Sequence, residues 1–188
     1  MNTNQPDASQ KADNPWALTT RRIVLGAIFG AMTLALGGVG LGFIPLPNLS
    51  GAGTVMHIPT ILAAIIGGPL VGMLSGGIFG VMAMIAFPAF GPFVHIPSRL
   101  LIGLVAWGLF VVLRRANIST VVASVAAAIA GSLTNTVVTV GMAVLLNLFP
   151  VAAVATIIPQ ALTELVIAAV ITPIVVVAVE TVLNARRS

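Results

Sequence analysis

The chain has 188 residues, 59% hydrophobic and only 6% charged, with a formal net charge of +4. A soluble domain carries about a quarter charged residues, so this composition excludes a water-exposed globule and points to a membrane protein. With no cysteine, disulfides and thiol chemistry are excluded as well. Six of the eight basic residues fall in three separated pairs and none form a patch, which argues against nucleic acid as a partner.

Met1 to Asn14 is rich in Asn, Gln, Asp, Ser and Lys and lacks the apolar area needed to order itself. Asp7 and Asp13, with no small-residue cleavage site, argue against a signal peptide. Residues 1–20 are therefore expected to be a disordered cytoplasmic tail, and 21–188 a membrane domain. Trp16 suits an interfacial anchor.

The first apolar segment runs from about Ile23 to Gly42, long enough to span the bilayer. Ala27, Ala31 and Ala35 recur every fourth residue, with Gly26 and Gly30 alongside. Such spacing permits close helix approach, either within the chain or to a partner. Gly37 to Gly53 is too rich in Gly and Pro for a helix, yet it is apolar. It reads as a loop over a buried site or one resting on the bilayer surface.

Segments two (His57 to Gly67) and three (Leu70 to Phe87) form a pair around Gly67-Gly68-Pro69. Segment two is too short for a full span, which is tolerated where helix ends face a protein-enclosed cavity. Segments four (Ile96 to Leu113), five (Ile118 to Leu148) and six (Ile158 to Leu183) complete an all-α membrane protein of six transmembrane helices. With six, the pairs Arg21-Arg22, Arg114-Arg115 and Arg186-Arg187 all fall on one side. The positive-inside rule makes that side, and both termini, cytoplasmic.

His57-Ile58-Pro59 and His95-Ile96-Pro97 repeat one tripeptide, and Ile158-Pro159-Gln160 is related to them. Proline is tolerated in the first helical turn, so each Ile-Pro is expected to mark a helix start. Three such starts on the external side would offer free N–H groups and dipole ends to an electron-rich ligand. The candidate substrate-binding residues gather there: His57, Thr60, His95, Arg99, Gln160, Thr163 and Glu164. Asn135, mid-membrane in segment five, joins them, with interhelical hydrogen bonding as its structural alternative. Arg99 is costly in a bilayer unless it meets Glu164 or an anionic ligand. Glu180 is read as interfacial. Two histidines without an acidic partner do not complete a metal set, and no cofactor is expected. No phosphate-binding Gly-x-x-x-x-Gly-Lys-Ser/Thr motif and no nucleophile elbow occur, so neither ATP binding by that motif nor catalysis is supported.

Taken in order, Ala27-x-x-x-Ala31, Thr54-Val55-Met56-His57-Ile58-Pro59, Gly67-Gly68-Pro69-Leu70-Val71-Gly72 and Gly131-Ser132-Leu133-Thr134-Asn135-Thr136 resemble the substrate-binding S components of energy-coupling factor (ECF) transporters. The resemblance covers essentially everything after the tail. It implies high-affinity capture of a water-soluble vitamin or precursor at the outer face of a prokaryotic plasma membrane. It also implies partners: a transmembrane T component and two cytoplasmic ATPases, with Ala27 and Ala31 as docking residues and Gly37 to Gly53 as a gate. The Thr-Asn-Thr run and the His-Ile-Pro openings are most similar to the branch associated with pantothenate. Aromatic content of 5% argues against riboflavin, while folate and hydroxymethylpyrimidine stay open. The alternatives are a gradient-driven carrier or channel working without ATPases, and a membrane enzyme or scaffold.

Overall fold

The computed structural model describes residues 14–45 and 52–185. Three expectations fall outside these residues: the tail through Asp13, loop residues 46–51, and the Arg186-Arg187 pair. Among the described residues there are six α-helices: α1 (Thr20–Gly38), α2 (His57–Gly67), α3 (Pro69–Ala86), α4 (Gly91–Arg115), α5 (Thr120–Leu145) and α6 (Ile158–Ala185). Short 3-10 stretches, Pro88–Phe90 and Val151–Ile157, lead into α4 and α6. A two-stranded antiparallel ribbon, β1 (Phe43–Pro45) with β2 (Ala52–Thr54), lies within the Gly/Pro-rich loop and pairs Phe43 with Thr54.

Among the described residues five helices are long and apolar enough to cross a membrane, and α2, with 11 residues, is not. At 1.5 Å per residue α2 covers about 16 Å, roughly half the hydrocarbon thickness. It is apolar nearly all round and is buried over almost its whole length, touching all five other helices. The short segment is thus the inner pillar of the bundle. Large side chains such as Ile28, Val137 and Ile174 cover the outside, as lipid contact requires.

The chain direction sorts the two ends. Gly68, in the α2–α3 turn, lies beside Pro15 and Arg22. At the same end Thr120 donates to Glu180 at 2.9 Å, joining the start of α5 to the last turns of α6. Arg21, Arg22, Arg114 and Arg115 therefore share one end, the basic end. Arg22 holds the segment before α1 by donating to the carbonyls of Asn14 and Ala17. The ribbon, the 3-10 stretches and the starts of α2, α4 and α6 lie at the far end.

One helix start departs from expectation. α4 begins at Gly91-Pro92, so His95-Ile96-Pro97 sits a turn inside the helix and not at its first residue. Pro92 already provides the favourable early proline, and Pro97 is an interior one. Lacking an N–H, Pro97 leaves the Phe93 carbonyl without its helical donor. Only α2 and α6 start at an Ile-Pro.

A seam of glycines positions α4. A Cβ at Gly103 would sit 2.6 Å from the Gly72 carbonyl carbon, and one at Gly76 would strike the Arg99 carbonyl oxygen. Backbone thus meets backbone where Arg99 and His95 leave α4. Gly76→Val is expected to push the helices apart and cost about 1–3 kcal/mol of stability, with weaker ligand binding as α4 shifts. Thermal unfolding in detergent, followed by circular dichroism, measures it.

The small residues of α1 divide into two sets. Gly26 and Gly30 turn inward against Leu74 and Ile78 of α3. Ala27, Ala31 and Ala35 face outward and are exposed.

Candidate functional site

The far end holds a cavity of about 70 Å³ between α4, α5, α6 and the ribbon. Five of the expected site residues line it: His95, Arg99, Asn135, Gln160 and Glu164. Thr54, Thr136 and Thr139 add hydroxyls, and Phe43, Phe87, Phe90 and Phe149 add aromatic walls.

Arg99 is 6% exposed. Its Nη1 donates to Ser98 Oγ at 2.9 Å and to Thr139 Oγ1. Its guanidinium carbon lies 4.7 Å from the centroid of the Phe79 ring, a cation–π contact. Its Nε has no partner among the described residues. No hydrogen bond joins Arg99 to a carboxylate there, and Glu164 acts on it only through space. The two charges line one cavity without pairing.

Glu164 is 5% exposed, and its Oε1 is already engaged. It accepts the backbone N–H of Thr54 at 2.7 Å and Nε2 of Gln160 at 2.9 Å. Gln160 and Glu164 stand one turn apart on α6, so their side chains share a face. Thr54 is a node in its own right. Its hydroxyl donates to the Gly42 carbonyl at 2.9 Å and accepts the Met56 N–H at 3.1 Å. The ribbon is thereby anchored both to the start of α2 and, through Glu164, to α6.

His95 Nε2 lies 2.9 Å from the Phe87 carbonyl oxygen, which can only accept, so that nitrogen carries the proton. Its Nδ1 is unpartnered. Asn135 Oδ1 is likewise buried without a partner, while its backbone carbonyl accepts from Thr139 Oγ1. Buried polar atoms left unsatisfied are costly, and here several converge on one cavity.

The other three expected residues lie elsewhere. His57 is fully buried and does not line the cavity, with Thr54 and Glu164 as polar neighbours and no hydrogen-bond partner for either ring nitrogen among the described residues. Thr60 is fully buried in a knot of hydroxyls. It lies 3.5 Å from Ser75 Oγ, which in turn meets Thr33 Oγ1 at 3.0 Å, tying α2, α3 and α1 together. Thr163 is exposed, donates to the Pro159 carbonyl and lines a neighbouring cavity. Thr60→Val, which keeps shape and removes one hydroxyl, is expected to lower stability by about 1 kcal/mol and to leave ligand affinity within twofold. Calorimetry on the purified variant separates the two effects.

A total aromatic content of 5% does not reveal where the aromatics gather. Four of the eight phenylalanines meet at this cavity, drawn from three separate stretches of the chain. Phe43 packs edge-on against Phe87 at 5.2 Å, and Phe90 against Phe149 at 6.2 Å. Thr54 and Thr136 belong to the runs Thr54 to Pro59 and Gly131 to Thr136, whereas Thr139 lies one turn beyond the second. Among the described residues no group of three His, Asp or Glu side chains is placed to hold a metal.

No curated protein matches the chain. The sequence model of the family described as "ECF transporter, substrate-specific component" matches residues 21–176, most of the protein and every helix in whole or part. The match covers well over half of the sequence, and the chain belongs to this family of ECF transporter substrate-specific components.

Proposed function

We propose that this chain captures pantothenate at the far end of its bundle and passes it inward with the help of a T component and two ATPases. As an S component it is a transporter subunit and not an enzyme. The observation that carries the ligand reading is Arg99. Its guanidinium is buried in an apolar bundle, faces a cavity and bonds to no carboxylate among the described residues. Such a charge is costly in a membrane unless an anion or water meets it. A carboxylate ligand supplies the missing partner. The hydroxyls and amide of pantothenate suit Asn135, Gln160 and Glu164, and its branched methyl groups suit the phenylalanine walls.

The basic end faces the cytoplasm on this reading, because cytoplasmic loops carry the excess of Arg. The far end is then external, in a prokaryotic plasma membrane. The outward Ala27 and Ala31 form the surface for the T component, since small residues let a partner helix approach closely.

The phenylalanine walls favour one second reading, a flat heteroaromatic vitamin precursor bearing an acid group. Proteoliposomes test both. Labelled pantothenate is expected to accumulate only when the chain is reconstituted with T component, ATPases and ATP. Accumulation of a labelled heteroaromatic acid instead would shift the assignment to the second reading. Accumulation by the chain alone would support a gradient-driven carrier and sink the S-component role.

A further inference from the structure

A second cavity, of about 320 Å³, abuts the first. Ile44 and Val55 line it from the ribbon side, and Thr156, Thr163 and Ile167 from α6 and the stretch before it. Thr54, Gln160 and Glu164 line both cavities. The wall between them is therefore one small hydrogen-bonded group, in which Glu164 Oε1 accepts from the Thr54 N–H and from Gln160 Nε2.

Size makes this wall significant. Sites for small organic ligands generally measure about 300–1,000 Å³. At about 70 Å³ the inner cavity falls well below that range, and the outer one lies within it. The wall rests on a ribbon whose strands have three residues each. An isolated two-stranded ribbon is marginally stable by itself. A ligand hydroxyl or amine can take the place of the Thr54 N–H on the carboxylate, so opening the wall leaves no orphaned charge.

We infer that the two cavities are compartments of one binding site, parted by Glu164 and Thr54, and that the outer compartment takes the hydrogen-bond-donating end of an elongated anionic ligand. This rests on the reading of the inner cavity as the substrate site. The anionic end belongs at Arg99. The hydroxyls of Thr156 and Thr163 donate to the carbonyls of Ala153 and Pro159, which leaves their oxygens as acceptors for a ligand hydroxyl or amine.

The chain has no cysteine, so single cysteines report each compartment separately. Ala143→Cys marks the inner one and Thr163→Cys the outer, both labelled with a charged methanethiosulfonate. Saturating pantothenate is expected to slow labelling at both positions at least tenfold. Protection at Ala143→Cys alone overturns the shared site and leaves pantothenate as the ligand, and protection at Thr163→Cys alone also overturns it. Protection at neither removes pantothenate, and a ligand-free arm then decides. In that arm Glu164→Ala is expected to raise labelling at Ala143→Cys at least tenfold, because the reagent passes from the outer to the inner compartment. Glu164→Ser, whose short side chain does not reach the Thr54 N–H, serves if the alanine variant does not fold. Unchanged labelling at Ala143→Cys overturns the proposal.

Discussion

Replacing Arg99 by alanine is expected to weaken ligand binding by on the order of 2 kcal/mol or more, about thirtyfold, while the protein stays folded. The loss has two parts. The ligand anion gives up its partner in a site that excludes water, and the hydrogen bonds that aim the guanidinium disappear. Ser98 keeps acceptors for its own hydroxyl proton in the carbonyls of Val94 and His95, and Thr139 keeps the Asn135 carbonyl, so neither hydroxyl is stranded. Arg99→Lys retains the charge but not the fork of donors, and it is expected to fall between the two. Titration calorimetry on each purified variant gives the comparison. Equal affinity in the alanine variant would count against anion recognition at this position.

Ala27→Trp is expected to abolish uptake, by more than tenfold, and to prevent co-purification with the T component while ligand affinity is unchanged. The prediction depends on which way α1 turns its small residues. Gly26 and Gly30 are committed to α3, so a large side chain at either would damage the fold. Ala27 points away from the bundle and is exposed. A tryptophan there alters only the outer face and blocks a helix that must approach closely. Normal assembly and transport by this variant would show that the partner sits elsewhere.

Much of the architecture could be read from residue pattern because its punctuation is strong. Pro59 near the start and Gly67-Gly68-Pro69 at the end delimit α2 without ambiguity. The start of α4 was harder, since Pro92 and Pro97 both offer a first-turn proline. The choice between them depends on packing against α3, where Gly80 faces the His95 carbonyl. The ribbon carries no sequence signal, because its strands have three residues, contain Gly and Pro, and show no alternation of apolar and polar positions.

Individual polar residues of the site were legible for a different reason. In a chain with so little charge, an arginine or glutamate within an apolar segment stands out. What a linear reading does not supply is their relation. Whether Arg99 meets Glu164 depends on where two helices, far apart in sequence, place their side chains. Glu164 turned out to hold Thr54 and Gln160, with Arg99 bonded to Ser98 and Thr139. The gathering of Phe43, Phe87, Phe90 and Phe149 is likewise a product of tertiary structure.

Native mass spectrometry of the detergent-solubilised chain, purified from cells grown with pantothenate, tests the central claim most directly. The expected spectrum shows one small anionic molecule bound per chain, with the mass of pantothenate, and much lower occupancy on Arg99→Ala. A bare chain that takes up no pantothenate or other vitamin acid when these are added would contradict substrate capture at this cavity.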